Sequence, residues 1–163
     1  MEYAIGDCVV HPSYGGGTIK GIKEKSFFNH SNQYYEIHMP LKNMTIMVPV
    51  EKAEEIGVRP VSSEEELDEM WALFAGEPEE LADKYQVRQE GIRIQLKTGD
   101  LLTISKALRD LLARQETHNL TQADRGLREQ AESFIAYEVS LAPDMNLEEI
   151  KEKIRETVGV SEP

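Results

Sequence analysis

Gly6-Asp7-Cys8-Val9-Val10-His11-Pro12-Ser13-Tyr14-Gly15-Gly16-Gly17, running on into Thr18-Ile19-Lys20-Gly21-Ile22, is the stretch that says most about the architecture. Short apolar segments punctuated by Pro and Gly read as a turn-rich β module. Asp7 to His11 alternates, which puts Val9 and its neighbours on opposite faces of a strand. Pro12 to Gly17 reads as a turn or loop, and Thr18 to Phe28 as a bent strand with Gly21 at a bulge. Asn29 to Asn32 is a hairpin loop, Gln33 to Met39 the returning strand, and Lys42-Asn43 the next turn. Met44 to Val48 follows as a strand, with Pro49 ending it or lying on an edge, because proline has no N–H for a ladder. Glu51 to Ile56 makes one short helical turn closed by Gly57. The expectation is a small five-stranded β-barrel.

Everything after Ser62 reads as helix. Ser62 or Ser63 caps the first, with Glu65 or Glu66 completing a capping box, and Leu67, Met70, Trp71 and Phe74 form one apolar face. Gly76 and Pro78 stop it. A second helix is expected from Glu79 to Lys97, and a third carries Leu101, Ile104, Leu108, Leu111 and Leu112. Thr121, with Asp124 at the third helical position, caps a fourth whose stripe is Leu127, Ala131, Phe134 and Ile135, and Pro143 ends it. Asn146, with Glu149, caps a fifth bearing Leu147, Ile150 and Ile154. The fold class is α+β: a barrel over residues 1–60, then an all-α domain of about five helices over 61–163.

The chain has 163 residues, a formal net charge of −12 and one cysteine. A single Cys8 rules out an intramolecular disulfide framework and fits a reducing compartment. No apolar run approaches the ~18 residues of a membrane helix, and the first residues lack a signal-peptide pattern. A cytoplasmic protein is expected. The charge is uneven. Residues 1–60 carry 6 basic and 7 acidic side chains, 61–83 carry 9 acidic and no basic, 84–128 carry 9 basic and 5 acidic, and 129–163 carry 3 basic and 9 acidic. The basic segment either faces an anionic partner or is a set of ordinary solvated helix faces.

Catalytic signals are weak. Cys8 and His11 would lie on opposite faces of a strand, and with His30 and His38 they do not form the paired spacing of a zinc site. Cys8 is expected in the core. Gly15-Gly16-Gly17 lacks the Lys-Ser/Thr and helix of a phosphate loop. The Glu64-Glu65-Glu66 run suits a helix N-terminus rather than acid–base chemistry. No cofactor, metal or enzymatic activity is expected. Tyr85 stands apart: it lies between Lys84 and Arg88 on a segment that also holds Arg93 and Lys97. An aromatic among cations can wedge beside a base while the cations hold phosphates, or it can simply pack two helices together.

Dispersed motifs in a fixed order then point to a family. Gly6-Asp7-x-Val9-Val10-x-Pro12-x-x-Gly15, Val48-Pro49, Gly57-Val58-Arg59, Gly99-Asp100 and Leu108-Arg109-Asp110-Leu111 span nearly the whole chain. The chain resembles the CarD/CdnL group of bacterial transcription regulators, and its N-terminal module is similar to the RNA-polymerase-interacting domain of transcription-repair coupling factor. The resemblance implies a Tudor-like barrel that binds the β subunit of RNA polymerase through a barrel edge. It implies a helical domain that touches promoter DNA at the upstream edge of the bubble, where an aromatic wedge enters the minor groove. Such a protein favours the open promoter by binding it better than the closed form. Riding on polymerase, and so on the nucleoid, supplies effective concentration, which reconciles a chain of −12 with DNA contact.

Carried over residue by residue, the resemblance makes Lys25, Met47, Val48 and Pro49 polymerase contacts. Lys25 keeps charge without an arginine fork, and Met47 replaces a basic position. Tyr85 falls at the wedge, usually Trp; Arg88, Arg109, Arg114 and Arg125 keep basic character, with Lys84 beside the wedge. Glu90 replaces a basic DNA-facing residue, and Arg109 can instead pair within the bundle with Asp110. The alternative is a polymerase-bound adaptor without DNA contact. A monomer is expected, with strand swapping into a dimer left open.

Overall fold

A computed structural model describes residues 2–28, 30–141 and 146–160. The chain divides into two compact units, Met1–Val61 and Ser62–Pro163. In the first, β1 (Cys8–His11), β2 (Gly15–Phe27), β3 (His30–Met39), β4 (Met44–Pro49) and β5 (Arg59–Pro60) form one antiparallel sheet in the order β4-β3-β2-β1-β5. A single-turn helix, α1 (Ala53–Ile56), precedes β5, and Gly57 (φ 98°) donates its N–H to the Ala53 and Glu54 carbonyls as the expected cap. Val9, Ile19, Tyr35, Ile37, Met39 and Val48 fill the core.

The sheet is open rather than a closed barrel: among the described residues no ladder joins β4 to β5. The reason is local. β5 is two residues long and ends in Pro60, which has no N–H to donate. Gly15, Gly16 and Gly17 lie in β2 opposite His11, Val10 and Val9, so the turn after Pro12 is shorter than the sequence suggests. Gly17 is needed there: a Cβ would sit 2.7 Å from the His38 carbonyl oxygen and 2.9 Å from Ile37 Cγ2. Strand alternation fails in β1, where Val9, Val10 and His11 are all buried, while Cys8 is only half-buried and lies outside the core. The bulge near Gly21 is present as a register shift between Ile19 and Gly21. β3 already begins at His30, inside the expected 29–32 loop; Asn29 lies outside the described residues.

The second unit contains α2 (Glu64–Ala75), α3 (Tyr85–Lys97), α4 (Leu101–Thr117), α5 (Gln122–Ser140) and α6 (Leu147–Val158). Ser63 with Glu66, Thr121 with Asp124, and Asn146 with Glu149 form the expected capping boxes. Asp100 also caps α4, accepting from the Thr103 N–H. Met70, Phe74, Ile92, Leu108, Leu111, Leu112, Ile135, Ile150 and Ile154 meet in one core. The main departure is α3, which starts at Tyr85 and not at Glu79. Residues 77–84 form a connector without helix or strand. The helix end expected at Pro143 lies outside the described residues.

Candidate functional site

In the sheet unit, register decides which expected contacts share a face. Lys25 pairs with Asn32, Lys23 with Tyr34, and Gly21 with Glu36; β4 then sets Met47 opposite Glu36 and Pro49 opposite Tyr34. Cross-strand partners point the same way, and residues two apart in a strand share a face. Lys25, Met47 and Pro49 therefore lie together on the face away from the core, with Lys23, Tyr34 and Glu36 between them. Lys23 and Glu36 form an ion pair across this face. Val48 points the other way and is 3% exposed, so its side chain belongs to the core and only its backbone lies on the edge. β4 is an edge strand, with one side free of ladder bonds in the sheet. Lys23, Tyr34 and Glu36 were missed from sequence, although period-two alternation from Met47's partner would have found them.

In the helical unit, Tyr85 opens α3 and is 55% exposed. Tyr85 is not among the residues of the helical core. Lys84, at the N-cap, supplies no side-chain cap and is exposed. The starts of α3 and α5 are brought side by side by Arg88, which meets Asp124 from α5. That pairing puts exposed Arg125, the residue after Asp124, at the same end of the unit as Lys84 and Tyr85. Among the described residues, Lys84 and Arg125 have no ion-pair partner.

The other expected cations are turned inward. Arg88 is 5% exposed, with Nε and Nη2 donating to the two Asp124 oxygens at 3.2 and 2.9 Å, and Nη1 donating to the Ala82 and Asp83 carbonyls at 3.0 and 2.9 Å. Burial by itself would push the Asp124 carboxyl up. The hydrogen bonds from Arg88, the Thr121 backbone, Gln89 and the Thr121 hydroxyl outweigh it and hold the pKa at about 2. Arg109 is buried and donates from Nε to Asp110, its own neighbour, at 2.9 Å. Arg114 donates to the Leu81 carbonyl at 3.2 Å and to Asp83 Oδ1 at 3.3 Å. Asp110 also accepts the Glu79 N–H at 2.9 Å. These residues hold the protein's own chain. Basic residues in a helix look alike in sequence; the carboxylates and carbonyls that claim them come from distant segments.

Among the described residues, no group of three or more His, Cys, Asp or Glu is placed to hold a metal ion. His11 is buried, which pushes its pKa down, and its Nδ1 accepts the Ser13 N–H at 3.0 Å, ordering the turn. A cleft of about 230 Å³ lies between the connector and α4. Three of its polar lining residues, Glu79, Asp110 and Arg114, are engaged in holding the connector. No described helix is long and apolar enough to cross a membrane.

Comparison with known proteins accounts for both units. Residues 3–62 match the CarD-like/TRCF RID domain family, and residues 69–155 match the CarD C-terminal domain family. Over 153 residues the chain is 29% identical to YdeB of Bacillus subtilis (strain 168), a candidate transcription factor by name; the match covers 91% of this chain and 97% of that protein.

Proposed function

The chain belongs to the CarD family of non-enzymatic transcription factors, and from that premise we propose that it docks on RNA polymerase through its sheet unit and steadies the open promoter through its helical unit. The polymerase β subunit is met by the β4 edge and the face carrying Lys25, Met47 and Pro49. An edge strand offers backbone donors and acceptors, and the outward side chains supply selection. Promoter DNA at the upstream edge of the bubble is met by Tyr85, with Lys84 and Arg125 toward phosphates.

The observation that carries the DNA half is the exposure of Tyr85 at the uncapped start of α3. A large aromatic left in solvent beside unpaired cations suits a wedge in the minor groove. Open-complex lifetime on a promoter, measured with the Tyr85→Ala chain and its own polymerase, tests this. A shorter lifetime with unchanged polymerase binding is expected; an unchanged lifetime sinks the wedge.

A second reading, the adaptor, is favoured by Val87 and Ile94, which are both 58% exposed on the outer side of α3 near exposed Glu90. An apolar, acidic-edged face suits a protein better than phosphate. Salt separates the two, since each phosphate contact lowers log affinity with log salt at a slope of about 0.9.

A further inference from the structure

Resting on the DNA-contact reading above, we propose that Arg88 and Asp124 are positioning residues: their buried pair clamps the connector that enters α3 and so fixes how Tyr85 is presented. The connector has no regular ladder, and its backbone groups need partners elsewhere. Side chains of α3 and α4 provide them. Asp110 takes the Glu79 N–H, Arg114 takes the Leu81 carbonyl, and Arg88 takes the carbonyls of Ala82 and Asp83.

Arg88 is the one of these that also grips a second helix. The same guanidinium that holds the two carbonyls just before Lys84 holds the Asp124 carboxylate at the start of α5. Gln89 reinforces it, donating to Thr121 Oγ1 at 3.1 Å and Asp124 Oδ1 at 3.3 Å. No side chain caps α3, so the clamp is what orients the entering chain. Four of the five Arg88 N–H donors are engaged, Nε and Nη2 with one bond each to the carboxylate and Nη1 with two carbonyls, and the residue is 5% exposed, which suits it poorly to a phosphate. Turning it outward would leave Asp124 as an unpaired buried charge. Its substitution therefore acts through Tyr85, whereas loss of Arg125 acts on phosphate directly.

The test uses the full chain with its own polymerase and measures open-complex lifetime against salt for Arg88→Lys, Tyr85→Ala, Arg125→Ala and the Arg88→Lys/Tyr85→Ala double variant. Amide exchange over residues 77–84 is followed without DNA. Lysine keeps the charge and loses the fork. Arg88→Lys should speed exchange in the connector and shorten the lifetime while leaving the salt slope intact, and it should cost nothing further once Tyr85 is Ala. The proposal is overturned if exchange is unchanged, if the slope falls by about 0.9 as expected for Arg125→Ala, or if the loss persists in the Tyr85→Ala background. Should Arg88→Lys fail to fold, Asp124→Asn, which keeps an acceptor for the cap, takes its place with the same readings. A Tyr85→Ala chain with normal lifetime removes the DNA contact, and the exchange experiment still decides the clamp by itself.

Discussion

The two units treat charge in opposite ways. Among the described residues, every buried arginine and carboxylate lies in the helical unit: Arg88, Arg109, Asp110, Asp124, Glu132 and Glu138. The sheet unit buries none, and its cations Lys23 and Lys25 stand in solvent. The difference follows from how each satisfies its backbone. Neighbouring strands satisfy one another through the ladder. Helices satisfy themselves and leave their connectors and ends to side chains, so long charged residues are drawn inside. A lysine of the sheet face such as Lys25 thus stays in solvent or, like Lys23, pairs at the surface, whereas an arginine of the helical unit can be claimed by the interior.

The largest break of this contrast is Arg88→Ala. It strands Asp124 as a buried charge and should cost about 3–5 kcal/mol in urea unfolding, with the loss confined to the helical signals. Gly17→Ala attacks the other unit. With a carbonyl oxygen 2.7 Å and a methyl 2.9 Å from the new Cβ, overpacking of about 3 kcal/mol is expected, and the sheet should melt first.

Acid should separate the two units. Asp124 is held at about 2, below its ordinary 3.8, so its contribution is complete above 3.8 and is lost as pH falls toward 2. That window removes on the order of 2 kcal/mol from the helical unit. His11, with its pKa lowered by burial, weakens the sheet unit earlier, as pH drops below its ordinary 6.5. Unfolding followed separately by sheet and helix signals between pH 7 and 2 should show this order, and simultaneous loss from pH 7 downward would contradict it.

The smallest stability effect belongs to Lys25→Glu. An exposed strand residue should change unfolding by less than about 0.5 kcal/mol, yet capture of a β-subunit fragment of its own polymerase should weaken. Unchanged capture from the folded variant would remove Lys25 from the proposed docking face.

Elements whose causes are local can be read directly from the order of residues. Ser63 with Glu66, Thr121 with Asp124 and Asn146 with Glu149 start helices by short-range hydrogen bonds, and Gly57 ends one by adopting a left-handed φ. Tyr85 and Lys25 were legible as candidates through the order of dispersed motifs. Packing of distant segments was needed to show that the sheet stays open, that Gly17 is a close approach rather than a loop, and that α3 waits until Tyr85. It alone separated Arg125, left in solvent, from Arg88, claimed by a carboxylate 36 positions along the chain. A cap acts over three residues and is written there. The partner of a guanidinium is set by which distant segments the core brings together, and no local pattern records it.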